Sequence, residues 1–194
     1  MIVTVANAKG GVAKTTSCIY LAQAALLRDP DLPIEVLDAD PQSSATQWSM
    51  DAEDDASPLG FDVHEANRAT LERVARRHRS GLTLVDTPPA GQVLDVACNV
   101  ADFVIVPTRP TPLDLQQTFK WTRTLAKPHA VLVLDADPRT TACRDTLESL
   151  DAEQIPRFDT VVRHRQDILK AFMRMPDKLW EYADVWKEMI EVLS

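Results

Sequence analysis

The sequence predicts an α/β protein, a doubly wound and mostly parallel sheet flanked by helices on both faces. Three observations predict it. Short apolar, β-branched runs at Ile2–Val5, Ile34–Leu37, Leu82–Asp86, Phe103–Pro107 and Ala130–Leu134 have the character of parallel strands buried on both faces. The stretches between them carry apolar residues at helical spacing, so strand and helix alternate along the chain. The first strand also runs through a glycine-bearing turn, Ala8-Lys9-Gly10-Gly11-Val12-Ala13-Lys14-Thr15-Thr16, straight into the first helix. In an open parallel sheet that is where a ligand lies, beyond the carboxyl ends of the strands.

Bulk properties bound the rest. The chain has 194 residues, 45% hydrophobic and 26% charged, an ordinary globular composition expected to form one domain over residues 1–194. No apolar run approaches a membrane span and Met1 leads directly into a strand, so a cytoplasmic protein is expected. Cys18, Cys98 and Cys143 lie far apart without a C-x-x-C pair, which suggests small buried residues rather than a disulfide framework or a metal site. The net charge of −8 argues against a protein that coats nucleic acid over its whole surface. Charge is nevertheless uneven: between Arg157 and Lys178 six Arg and Lys face three Asp, a local balance of +3.

The glycine turn after the first strand reads as a phosphate-binding loop. Backbone N–H groups from Gly11 to Thr15 would line a cradle, and the helix start adds its positive dipole end. Lys14 would reach the terminal phosphates and the Thr15 hydroxyl would complete a Mg²⁺ shell. The common pattern G-x-x-x-x-G-K-[ST] fails, because its outer glycines fall on Ala8 and Ala13; the match is x-K-G-G-x-x-K-[ST], with a second lysine at Lys9. The first helix, beginning near Lys14, buries Cys18, Ile19, Leu21, Ala22, Ala25 and Leu26 until Asp29-Pro30 stops it.

The second strand ends in Asp38-Ala39-Asp40-Pro41-Gln42, two carboxylates delivered beside the phosphates, or alternatively a capped turn before a helix that starts near Ser43. The acidic stretch Asp51–Pro58 reads as an exposed loop, Phe61–His64 as a weak strand, and Arg68–Arg79 as a helix with Leu71, Val74 and Ala75 inward. Its cluster Arg73, Arg76, Arg77, His78 and Arg79 is a solvated face or a phosphate contact. Leu82–Asp86 finishes on one aspartate, the Walker B arrangement, in which the acid accepts from Mg²⁺-bound water or the Thr15 hydroxyl. In the following Thr87-Pro88-Pro89-Ala90-Gly91 the prolines have no N–H, so a backbone donor to a γ-phosphate must come from Thr87, Ala90 or Gly91.

After Phe103–Pro107, Thr111 is placed to cap a helix with Pro112 at its first position, running through Lys127 with Leu115, Phe119, Thr122 and Leu125 on one stripe. Ala130–Leu134 is the sixth strand, and Asp159–Val162 can form a last one before a polar helix near Arg165. The C-terminal helix puts Leu179, Tyr182, Val185, Trp186, Met189, Ile190 and Leu193 on one face, expected to pack on the sheet. Its other face is dominated by Glu181, Asp184, Glu188 and Glu191, which an anionic bilayer would repel, so no membrane contact is expected.

Together these motifs resemble the deviant Walker A P-loop ATPases, the superfamily of ParA-type DNA partition ATPases, MinD-type division ATPases and the nitrogenase iron protein. The loop, Asp38-x-Asp40-Pro41-Gln42, Asp86-Thr87-Pro88-Pro89 and Asp135-Ala136-Asp137-Pro138-Arg139-Thr140-Thr141 are most similar to the short ParA form without an N-terminal DNA-reading domain. The resemblance implies ATP and Mg²⁺ as ligands, with the nucleotide on Gly10, Gly11, Val12, Ala13, Lys14, Thr15 and Thr16 and the metal with Thr15, Asp38 and Asp86. It further implies that Asp40 orients or deprotonates the attacking water and that Lys9 crosses an ATP-dependent homodimer interface to the partner's phosphates.

A weak ATPase stimulated by a small DNA-bound adaptor, cytoplasmic and nucleoid-associated, moving a plasmid or chromosome locus, is the function implied. Arg163, Arg165, Lys170 and Arg174 resemble the basic segment that meets non-specific DNA in ParA-type chains; a merely solvated or acid-paired surface is the competing reading. Two other readings are a MinD-like positioning protein and a nucleotide switch with negligible hydrolysis. An iron-protein-like reductase is disfavoured by the lack of a suitably placed cysteine pair.

Overall fold

The computed structural model describes residues 1–77 and 80–193. Seven strands form one sheet: β1 (Ile2–Val5), β2 (Ile34–Asp38), β3 (Asp62–Glu65), β4 (Leu82–Asp86), β5 (Phe103–Thr108), β6 (His129–Ala136) and β7 (Val162–Arg163). Their spatial order is β3-β2-β4-β1-β5-β6-β7, and every pairing is parallel. The expected mostly parallel sheet is therefore parallel throughout, and the apolar runs read as strands are its central members.

Helices cover both faces. On one, α1 (Lys14–Arg28), α2 (Ser44–Asp54), α7 (Gln166–Lys170) and α8 (Tyr182–Leu193) pack with Val3, Val5, Val36, Leu84, Ile105 and Leu132. On the other, α3 (Arg68–Ala75), α4 (Gln92–Val100), α5 (Pro112–Thr122) and α6 (Thr141–Ala152) meet Leu37, Val85, Val104, Val106, Val131 and Val133. Neighbouring residues of one strand point to opposite faces, so continuous apolar runs are what a two-sided sheet requires. Cys18, Cys98 and Cys143 are buried, as small apolar residues should be. No helix among the described residues is long and apolar enough to cross a membrane.

Several boundaries differ from expectation. The stretch read as a loop from Asp51 is helical to Asp54, because Ala52 is fully buried and Asp51 accepts from Gln47 one turn earlier. Helix α3 ends at Ala75 and α5 at Thr122, both earlier than read; His78 and Arg79 of the basic cluster lie outside the described residues. The last strand is Val162–Arg163, later than Asp159–Val162, with Arg157 forming only an isolated bridge to Val131. Helices α4 and α6 had not been assigned from the sequence. The cap at Thr111 is as read: its hydroxyl accepts from the Asp114 N–H, with Pro112 in the first turn. Helix α8 buries Tyr182, Val185, Trp186 and Met189 beside α1, in the same core that covers this face of the sheet.

What positions a site is the reversal of strand order around β1. The chain passes from β1 outward to β2 and β3, returns through β4, and crosses β1 to reach β5. The crevice beyond the carboxyl ends of β1, β4 and β2 is the switch point of the sheet. Register brings Asp86 opposite both Val5 and Asp38, so three strand ends finish level with one another.

Candidate functional site

The loop between β1 and α1 is built to leave donors unused. Ala13, the residue before α1, adopts left-handed φ 56° and ψ 37°, and its side chain cannot cap the helix. The first helical bond runs from the Ser17 N–H to the Ala13 carbonyl, which leaves the N–H groups of the opening turn facing outward. No acidic side chain occupies that turn. Gly11 has φ +72°, and a side chain on Gly10 or Gly11 would meet no atom within 4 Å. Val12 is buried and anchors the loop. Asn7 stiffens its entry, donating to the Pro107 carbonyl at 2.7 Å and accepting from the Lys9 N–H at 2.9 Å. An uncapped helix start behind an open glycine turn is an anion seat.

A cleft of about 560 Å³ opens over this seat, lined by Gly10, Gly11, Ala13, Lys14, Thr15 and Thr16 on one side and by Asp40, Pro41, Gln42, Ser44, Pro88, Pro89 and Phe172 on the other. The loop, the stretch after β2, the proline pair after β4 and one aromatic from the C-terminal region thus share one space. Lys14 is 7% exposed and donates to the Lys9 carbonyl at 3.2 Å. Burial lowers its pKa, opposed by the nearby Asp86 and Asp40 carboxylates. A buried ammonium so placed gains from an incoming phosphate.

Asp86 is 1% exposed. One of its oxygens accepts from the Thr15 hydroxyl at 2.5 Å; the other, Oδ1, is buried with no hydrogen-bond partner. Its pKa is pushed up to about 7, first by burial and next by the neighbouring Asp38, against the Thr15 bond and Lys14. An orphaned buried carboxylate oxygen beside a helix-start threonine fits a divalent cation held jointly with phosphates and water. Among the described residues no cluster of three or more His, Cys, Asp or Glu stands ready to hold a metal by itself, so phosphate oxygens would be part of the shell.

The other two carboxylates divide differently. Asp38 is 2% exposed, and its Oδ2 accepts from both the N–H (2.8 Å) and the hydroxyl (2.9 Å) of Thr46 in the first turn of α2. It thereby satisfies a free donor of α2 and welds the end of β2 to that helix. Of the two readings of this acid, the contact with the start of α2 is the one the structure shows. Asp40 is partly exposed, accepts from the Gln42 N–H at 3.0 Å and lines the cleft.

Lys9 is not extended into solvent. Its ammonium makes a short ion pair with Asp114, whose side chain is 3% exposed in the first turn of α5. Sequence reasoning missed Asp114; the only local signal was an acid two residues after the Thr111-Pro112 cap.

The basic residues near the C terminus are mostly engaged. Arg165 pairs with Glu181 at 2.5 Å and lies 4.1 Å from the Trp180 ring centroid, and Arg163 reaches the same Glu181 at 3.6 Å. Arg174 pairs with Asp55 at 2.6 Å. Lys170 is exposed and lines a second cleft of about 410 Å³ with Arg174, Lys178, Asp167 and Asp177. Of the predicted residues, Gly10, Gly11, Ala13, Lys14, Thr15, Thr16 and Asp40 line one cleft, Asp86 lies behind Thr15, Asp38 is tied to α2, Lys9 is held by Asp114, and the basic four sit on the neighbouring surface.

Fold and site together define a P-loop nucleotide-binding protein. The chain belongs to the CobQ/CobB/MinD/ParA nucleotide-binding domain family, which matches residues 3–178. It is 36% identical over 170 residues to a maintenance of carboxysome distribution protein A from Gloeobacter kilaueensis, covering 84% of this chain and 76% of that protein. The crystal structure of a plasmid partition protein from Borrelia burgdorferi bound to AMPPNP has a similar fold, at TM-score 0.76, 17% identity and coverage of 99% and 97% of the two chains. So has a cobyrinic acid a,c-diamide synthase from Mycobacterium smegmatis with bound ADP and magnesium, at TM-score 0.68 and 20% identity over 99% and 93%. The ParA-type resemblance read from the motifs holds at the level of the family.

Proposed function

We propose that the protein is a ParA-like ATPase that binds ATP and Mg²⁺ in the cleft, pairs with a second copy in that state, and releases it on hydrolysis. The observation that carries this reading is the Thr15–Asp86 hydrogen bond beside an uncapped, glycine-rich helix start. Gly10 to Thr16 would seat the phosphates, with Lys14 countering their charge. Thr15 and Asp86 would hold Mg²⁺, with Asp38 behind them; when bound, the ion neutralises charge on the β- and γ-phosphates. Asp40, the partly exposed acid of the cleft, would orient the attacking water and take its proton. Lys9 would leave Asp114 and reach the partner's phosphates, so that turnover requires the dimer.

The cycle would serve positioning. In the partition reading the dimer attaches to non-specific DNA through Arg163, Arg165, Lys170 and Arg174, and a small DNA-bound adaptor stimulates hydrolysis. The 36% identity to a carboxysome distribution protein favours a second cargo, a large protein body rather than a DNA locus, served by the same cycle. Lys9→Ala tests the core of the reading. Nucleotide binding should persist while steady-state phosphate release falls to background; turnover at the wild-type rate would remove Lys9 from the mechanism.

A further inference from the structure

The start of α1 is held from behind by the C-terminal helix. Ser17, fully buried, closes the first turn of α1 with its N–H on the Ala13 carbonyl at 3.0 Å. Its hydroxyl lies 3.0 Å from that of Tyr182, which is 165 positions along the chain and opens α8. Tyr182 is itself buried, and its ring centroid is 4.9 Å from that of Tyr20, also on α1. Burial pushes the Tyr182 phenol well above its ordinary range, so it is a neutral hydroxyl that can donate or accept. The same side chain lines a small cavity of about 190 Å³ with Ala13 and Thr16, two residues that also border the phosphate cleft. The backbone just ahead of it is fixed as well. Trp180 has φ 50° with the Arg165 guanidinium over its ring, and Glu181 pairs with the same arginine at 2.5 Å.

We propose that Tyr182 is a positioning residue for the phosphate seat: through the Ser17 hydroxyl it holds the first turn of α1 in the direction that presents the turn's N–H groups to phosphate, and it makes the docking of α8 part of the nucleotide site. The role deepens the reading above and rests on it for the ligand. A seat built of backbone donors is aimed only by the helix start that carries it. Thr15 ties that start to the end of β4 through Asp86, and Ser17 ties it to α8. Either tie alone leaves the turn free to pivot about the other. A seat correctly aimed for only part of the time binds with its affinity reduced by that fraction. By linkage, a ligand that needs the aimed turn strengthens the hold on α8 by the same factor.

Titration of the full chain with a fluorescent ADP analogue and Mg²⁺, at a temperature where each variant is folded by circular dichroism, tests this. Tyr182→Phe keeps the ring beside Tyr20 and removes only the hydroxyl; Ser17→Ala removes the same bond from the other side. Each should weaken binding about fivefold, the scale of one hydrogen bond. Ser17→Ala/Tyr182→Phe should be no weaker than either single variant, because one contact is lost in all three. Tyr20→Phe, which takes a hydroxyl from the same ring pair, should bind as the wild type does. Wild-type affinity in Tyr182→Phe overturns the assignment, and so do single losses that add in the double variant. An equal loss in Tyr20→Phe also overturns it, since the effect would then be a general loosening of this core. Where Tyr182→Phe does not fold, wild-type affinity in Ser17→Ala overturns it in the same way. A wild type that binds no analogue overturns the nucleotide site itself, and this role with it.

Discussion

Asp86→Asn should stabilise the nucleotide-free protein above pH 7 and abolish its response to Mg²⁺ with nucleotide. The wild-type carboxyl, normally near 3.8, titrates at about 7 because it is buried beside Asp38. With the native value raised, the native state binds the extra proton, so this group's stabilising contribution is complete below pH 3.8 and is lost as pH rises through about 7. The shift corresponds to a cost on the order of 4 kcal/mol for the ionised carboxylate at pH 8. Asparagine keeps an acceptor for the Thr15 hydroxyl, but its amide N–H₂ replaces a partnerless oxygen and costs about 1–3 kcal/mol if it finds none either. The net gain is about 1–3 kcal/mol, or roughly 2–12 °C in Tm for a chain of this size. Thermal unfolding of both proteins in EDTA at pH 5 and pH 8 reads the difference between them, which cancels the other carboxylates. A variant less stable than wild type at pH 8, or a difference that does not grow with pH, would refute the reasoning.

Three further outcomes follow from the same geometry. Lys9→Ala strands the buried Asp114 carboxylate and should cost about 3 kcal/mol, the low end for a pair whose lysine is partly exposed, most of it recovered in Lys9→Ala/Asp114→Asn; a single variant as stable as wild type in chemical unfolding would mean the pair is not held in solution. Thr15→Ala removes the hydroxyl between loop and Asp86, and titration with a fluorescent ATP analogue should show the Mg²⁺-dependent part of affinity falling about 10–100-fold, with Mg²⁺-free binding little changed. Glu181→Gln releases Arg163 and Arg165; duplex binding with ATPγS should tighten and its log–log salt slope steepen by about one for each new phosphate contact, whereas an unchanged slope would take both arginines off the DNA surface.

The sheet was legible because parallel strands buried on both faces are predominantly apolar runs, as β1, β2, β4, β5 and β6 are, even with Glu35 inside β2. The loop and its aspartates were legible for a related reason: the chemistry needs particular residues immediately after particular strands. Helix α4 was obscured because Gly91 before it has φ 103° and no side-chain cap, and because Val93, Val96 and Val100, though at helical spacing, are β-branched residues that suit strands as well. Helix α6 did carry a signal, Thr140 accepting from the Cys143 N–H, but within a loop read for another purpose. The end of α2 was misread because acidic residues there depend on a single buried alanine, Ala52, which composition cannot reveal.

Tertiary partners were illegible in principle. Lys9 and Asp114 are 105 positions apart, and Trp48 donates to a carbonyl 126 positions away. No local pattern encodes either contact, yet one decides where the second lysine of the loop rests and the other ties the C-terminal region to the cleft. The basic segment shows the opposite limit. Its residues were plain in the sequence, but their engagement by Glu181 and Asp55 depends on how α8 and α2 pack.

On the proposed reading, a triphosphate in the cleft should drive two copies of the chain together. Light scattering on a size-exclusion column, with ADP or with a non-hydrolysable ATP analogue, each with Mg²⁺, measures it most directly. A monomer with ADP and a dimer with the analogue, lost again in Asp86→Asn, is the predicted result. A mass that ignores the nucleotide would contradict the account.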